Sequence, residues 1–136
     1  MPSDSNDVKV FLDPLPIGEN RFAMGLGITE DLYNELVRIE AGISELVLEK
    51  HPNTIWHSSL RPPTEDNDAM LKVKLYSDTQ LYDENSQKIK APKSWRGMRV
   101  VPILNIKVWV NENAAGIWWN VAAMKIKPAL RNYTFV

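Results

Sequence analysis

Over most of this chain apolar and polar positions alternate with the two-residue period of strands, and one stretch switches to a helical period. Val8–Leu12 is a short β-branched and aromatic run closed by the breaker Asp13-Pro14-Leu15-Pro16, and Arg21–Gly27 predicts a second strand ended by Gly25 and Gly27. The spacing then predicts a helix over 29–50. Thr29 caps it, Glu30 and Asp31 fill its first turn, and Leu32, Leu36, Ile39, Ile43 and Leu46 recur at i+3/i+4 to form its core face. Lys50 and His51 suit the negative end of the helix dipole, and Pro52 stops the helix. Glu35, Glu40, Glu45 and Glu49 are expected on its solvent side.

Residues 53–60 predict another strand, and 61–68 (RPPTEDND) a polar loop. That loop holds three acids but lacks the spaced oxygen ligands and central glycine of a calcium loop, so no metal is expected there. Residues 70–76 alternate cleanly, with Leu71, Val73 and Leu75 on one side and Lys72, Lys74 and Tyr76 on the other. A loop over 77–87 leads into a basic segment that carries Lys88, Lys90, Lys93, Trp95, Arg96 and Arg99 and reads as a flap. Val100–Val110 is a long strand whose Pro102 points to an edge position or a bulge. A loop over 111–116 (NENAAG) turns it back into Ile117–Lys127.

Pairing Val110 with Ile117 puts Trp109 opposite Trp118, Lys107 opposite Asn120 and Asn105 opposite Ala122, all on one side of the sheet. The other side collects Leu104, Ile106, Val108 and Val110 with Ile117, Trp119, Val121 and Ala123, a core face with Trp119 as the buried tryptophan. A bulge in the hairpin would exchange the two faces.

Charge sharpens the picture. The net charge of −1 conceals a split: residues 1–69 hold 5 Lys/Arg against 13 Asp/Glu, and residues 70–136 hold 11 against 4. A basic half that interleaves lysines with tryptophans has the chemistry single-stranded nucleic acid requires, since bases stack on aromatic faces and phosphates seek cations. Lys72, Lys74 and Tyr76 extend the face made by Lys107, Trp109, Trp118 and Asn120, and the 88–99 flap is placed to close over a bound strand.

Catalytic chemistry has little to work with. With no cysteine there is no disulfide scaffold, thiolate metal site or cysteine nucleophile. His51 and His57 are the two histidines, and neither lies in a zinc-binding frame. No nucleophile elbow or phosphate-binding P-loop occurs, so neither an enzyme nor a cofactor is expected. With 136 residues the chain suits one domain, no run approaches the roughly 20 apolar residues of a membrane span, and the polar start is unlike a signal peptide.

The carboxy-terminal half resembles the OB-fold single-stranded-DNA-binding proteins of tailed phages and other large DNA viruses. The likeness rests on LKVKLY (71–76), a polar loop, Arg96-Gly97, Pro102, a strand ending in Trp109, a short loop closing on Gly116, and an aromatic strand ending IKP (126–128). It implies a mainly β domain with one long helix, either an OB-like five-stranded barrel or a curved antiparallel sheet, over residues 1–130, with 131–136 as a short tail. It also implies largely sequence-independent binding of single-stranded DNA during replication, recombination or repair. Trp109, Lys107, Trp118, Arg96, Arg99 and the Lys72/Lys74 pair would carry the contacts. Expected partners are single-stranded DNA (RNA left open), replication or recombination proteins and a second copy as a homodimer, with no membrane. The location implied is the cytoplasm, or the host nucleus for a viral protein. The family's acidic tail with a terminal aromatic is not matched by RNYTFV at 131–136, and the helix at 29–50 comes earlier than the OB-fold helix. The competing reading is a viral assembly protein with a β-sandwich that uses the exposed tryptophans as interface anchors. A third is a module stacking sugar rings on those tryptophans.

Overall fold

A computed structural model describes residues 8–127. Strands β1 (Val8–Gly18) and β2 (Arg21–Ile28) lead into helix α1 (Glu30–Lys50). The short strands β3 (Ile55–His57) and β4 (Leu60–Arg61) precede β5 (Ala69–Tyr76) and β6 (Gln80–Tyr82), and the chain ends in the hairpin β7 (Arg99–Val110) and β8 (Ala114–Lys127). Five strands close into a ring in the order β1-β2-β5-β8-β7, with β7 returning to β1. Every junction in the ring is antiparallel except β5–β8, which is parallel. This is OB-like topology, a small Greek-key barrel. One closed ring forms, not the two facing sheets of a sandwich. The helix lies between the second and third barrel strands, as its sequence position requires.

The inward positions of the ring make the core. Val8 and Val10 of β1, Met24, Leu26 and Ile28 of β2, and Leu71, Val73 and Leu75 of β5 are buried together with Ile117, Trp119, Val121, Met124 and Ile126 of β8. The alternation read for 70–76 is therefore the observed one.

Three segments run differently from the sequence expectation. β1 continues through Asp13-Pro14-Leu15-Pro16 to Gly18, with register irregularities at three points. Among the described residues the backbone of β1 past Val10 pairs with β2 alone, so prolines without an N–H break no ladder on its other edge. Asn20 takes the left-handed conformation, φ 59°, that turns β1 into β2. Residues 53–60 divide into β3, parallel to β8, and β4, antiparallel to β5. The loop after β5 contains β6, which pairs with the far end of β8.

The hairpin register is offset by two positions from the expected one. Trp109 faces Gly116, Lys107 faces Trp118 and Asn105 faces Asn120. A two-residue offset preserves the strand faces, so Trp109, Lys107, Asn105, Trp118 and Asn120 still share one side. Trp119 is 3% exposed, as the alternation implied. A bulge between the Leu104–Val121 and Ile103–Ala123 pairs then exchanges the faces of β8. Beyond it Met124 and Ile126 point into the core and Ala123 does not. Ile106, Val108 and Val110, expected in the core, are about 40% exposed, because this end of β7 extends past the ring with β8 as its sole neighbour.

Helix α1 begins as predicted, with the Thr29 hydroxyl accepting from the Leu32 N–H at 3.2 Å. It packs against β4, β5 and β8. Its buried stripe is rotated from the expected one: Leu32, Tyr33, Leu36, Glu40 and Ile43 face the barrel, while Ile39 and Leu46 are exposed. Glu40, assigned to solvent, is 5% exposed because Trp56 of β3 reaches across to it. No helix of the described residues is long and apolar enough to cross a membrane. The expected tail at 131–136 lies outside the described residues.

Because Trp119 fills the barrel while Trp118 lies on its outer side, Trp119→Ala is expected to cost about 3–5 kcal/mol of unfolding free energy. Trp118→Ala should cost about 1 kcal/mol. Urea denaturation followed by circular dichroism checks both.

Candidate nucleic-acid interface

The parallel closure of the ring sets Lys74 of β5 opposite Asn120 of β8. Lys72, Lys74 and Tyr76 therefore stand beside Trp118 and Asn120, with Asn105, Lys107 and Trp109 on the next strand over. At the centre, the Lys74 ammonium lies 4.7 Å from the centre of the Trp118 ring and 5.4 Å from that of Tyr76. Lys74 is 9% exposed. Among the described residues no carboxylate pairs with it. Two π-faces stabilise a cation without neutralising it. The result is a poorly hydrated positive charge that favours an incoming anion.

Next to this cation, Tyr76, Asp78, Thr79, Asn105, Asn120 and Ala122 line a depression of about 320 Å3. The Asn120 side-chain oxygen is buried with no hydrogen-bond partner among the described residues. An unmatched buried acceptor costs about 1–3 kcal/mol, which a donor on a ligand would recover. On the other flank, Trp109 stacks with His57 of β3, ring centres 6.1 Å apart and planes inclined by 26°. Gly116 allows this: a Cβ there would stand 2.7 Å from the His57 carbonyl oxygen and 2.9 Å from Trp109 Cζ2. The bare backbone lets the indole lie flat across β8.

The basic 88–99 segment behaves differently from the expected flap. Trp95 is 6% exposed and belongs to the core, so it has no face to offer a base. Its N–H donates to Asp13 Oδ1 at 3.1 Å. The Gly97 N–H donates to the Val10 carbonyl and the Val10 N–H to that of Met98, each under 3 Å, which stitches the segment to β1. Lys88 is exposed and bridges to Tyr82. Lys90 and Lys93 border a groove of about 670 Å3 that also takes in Phe22 and Tyr76, so these two lysines adjoin the aromatic face from one side. Arg96 lines a separate depression with Lys9, Gly27 and the acidic loop at 64–68. Arg99 pairs with Lys9 and Lys127, at the end of the hairpin remote from Trp109. Neither arginine joins the Lys74 cluster.

His57 and Asn105 were not among the predicted contacts, although Asn105 was read onto the correct face. Nothing local marks His57, whose place depends on the parallel β3–β8 pairing. Beyond the bulge, Lys125 and Lys127 pair with Val101 and Arg99 and continue the outer face. Their alternation was visible, but the inversion of β8 was not.

No protein-family model matches the chain, and no curated protein matches it in sequence. Solved structures do match its fold. Against gp2.5, a single-stranded DNA-binding protein encoded by bacteriophage T7, the TM-score is 0.62 at 13% identity, covering 96% of this chain and 87% of that one. The chain has the fold of phage single-stranded-DNA-binding proteins. A C-terminally truncated single-stranded DNA-binding protein from bacteriophage Enc34 matches with a TM-score of 0.64 at 12% identity, over 96% of this chain and 86% of that one. A further structure of the single-stranded DNA-binding protein from bacteriophage Enc34 gives 0.61 at 13% identity, covering 88% of this chain and 76% of that one. The OB-like barrel implied by the sequence resemblance is thus shared along nearly the whole chain.

Gly116→Ala is expected to cost about 1–3 kcal/mol through overpacking. The clash would also part the Trp109 and His57 rings. Thermal unfolding reads the first effect, and the chemical shifts of the His57 ring protons read the second.

Proposed function

We propose that this chain binds single-stranded DNA, as the names of its phage neighbours say of those proteins, and that it does so with little sequence preference. The observation that carries the reading is the Lys74 cation, buried between Trp118 and Tyr76 with no carboxylate partner among the described residues. Bases would stack on Trp118, Tyr76 and the open face of Trp109, each stacked base contributing about 1–3 kcal/mol. Phosphates would run past Lys72, Lys74 and Lys107, with Lys90 and Lys93 extending the path beyond Tyr76. Asn120 would take a donor from a base or sugar edge. Contacts of this kind read the strand's π-faces and charge, not its sequence, which suits a protein that covers single strands during replication, recombination or repair. No bond-making step is assigned.

Titration with oligo-dT, followed by intrinsic tryptophan fluorescence at low and high salt, tests the proposal. Quenching should weaken as salt rises, with a log–log slope of about −0.7 per phosphate contacted. A titration without quenching at low salt, or one indifferent to salt, overturns it. Lys107→Ala, on an exposed strand position, should reduce that slope by about 0.7. Trp118→Ala should weaken binding roughly 5- to 150-fold, the equivalent of one lost stack. Oligo-U titrated in parallel distinguishes a DNA preference from general single-strand binding.

A further inference from the structure

A cavity of about 320 Å3 opens between α1 and the β3–β4 segment, sharing no residue with the Lys74 cluster. Its walls include Tyr33, Val37, Glu40, Ser44, Trp56 and Leu60. The Glu40 carboxylate is the polar group buried in this wall, 5% exposed. Trp56 Nε1 donates to its Oε1 at 3.2 Å. Its Oε2 is buried and has no hydrogen-bond partner among the described residues. Of the nearby serines, the Ser44 hydroxyl donates to the Ala41 carbonyl and the Ser58 oxygen accepts from the Leu60 N–H, and neither bonds Glu40.

A carboxylate removed from water with one neutral donor is an expensive way to anchor a helix. A neutral amide could also accept the indole bond, more weakly but without the cost of burying a charge. The group becomes favourable once a cation enters, and the walls specify which kind. A planar guanidinium presents parallel N–H groups to a carboxylate and stacks on aromatic rings, here Tyr33 and Trp56. The alkyl stem behind it would lie along Val37 and Leu60. Glu45, four positions after Ala41, adds an exposed carboxylate to the same flank of α1. The first 69 residues carry eight more acids than bases, which favours approach of a basic surface.

We infer that this cavity receives an arginine side chain presented by a partner protein that docks on α1. The site is independent of the nucleic-acid reading, so a chain that failed to bind DNA would leave it intact.

The test uses N-acetyl-arginine methylamide as probe and the Trp56 indole N–H resonance as readout in the full chain, assigned by its loss in Trp56→Phe. A saturable shift is expected. Glu40→Gln removes the charge and should weaken binding at least about tenfold. Ala41→Phe, at an exposed helix position, closes the mouth while leaving Glu40 in place, and should abolish the shift. This second variant decides the matter if Glu40→Gln does not fold. Putrescine, a diamine without the planar fork, should bind at least about tenfold more weakly than the arginine derivative. No saturable shift, equal binding of putrescine, or a shift unchanged in either variant overturns the proposal.

Discussion

The register that sets Lys74 against Asn120 joins strands far apart along the chain. It is also the ring's one parallel junction. Without it β5-β2-β1-β7-β8 would be an open sheet with its apolar face exposed to water. With it, Val73 and Leu75 meet Trp119 and Val121 on the inside of the barrel. The same junction on the outside brings Lys74 under Trp118. Core and candidate site are therefore two faces of a single contact. Closing so long a loop is entropically unfavourable, and burial of the continuous apolar interior offsets it.

Charge is partitioned in a way that serves both faces. Most acids of the first half lie on α1 and the 61–68 loop, and β5, β7 and β8 hold the lysines around the aromatic face. Among the described residues no carboxylate is ion-paired with Lys74, although Asp78 borders the neighbouring depression, and the attraction of Lys74 for an anion depends on that. Arg96 shows the contrast: it lies beside the acidic loop, in a depression that Glu65, Asp66 and Asp68 help to line.

Irregularities in the strands do as much to shape the molecule as their regular parts. The bulge in β8 turns Met124 and Ile126 inward after Trp119 and Val121, so one long strand can follow the curved barrel wall and still bury both ends. Gly116 removes a side chain where Trp109 needs to lie flat. The prolines of β1 sit where no neighbour requires their N–H.

Period-two alternation in 70–76 and 117–121 was enough to sort core from surface, because a half-buried strand cannot exchange its faces without exposing its apolar set. The helix limits were equally legible, since Thr29, the acidic first turn and Pro52 act through local backbone chemistry. Lysines interleaved with tryptophans announced the character of the outer face. What the alternation could not convey was which strands become neighbours. Trp95 reads as an exposed aromatic among lysines, and becomes core because Val10 and Asp13 bind the backbone around it. Glu40 reads as solvent-facing, and is buried because Trp56 arrives from a strand placed by β8. His57 acquires a stacking partner through that same pairing. Local patterns determine which face of an element is apolar. Closure of the barrel, a cooperative contact between distant segments, determines what each polar face meets.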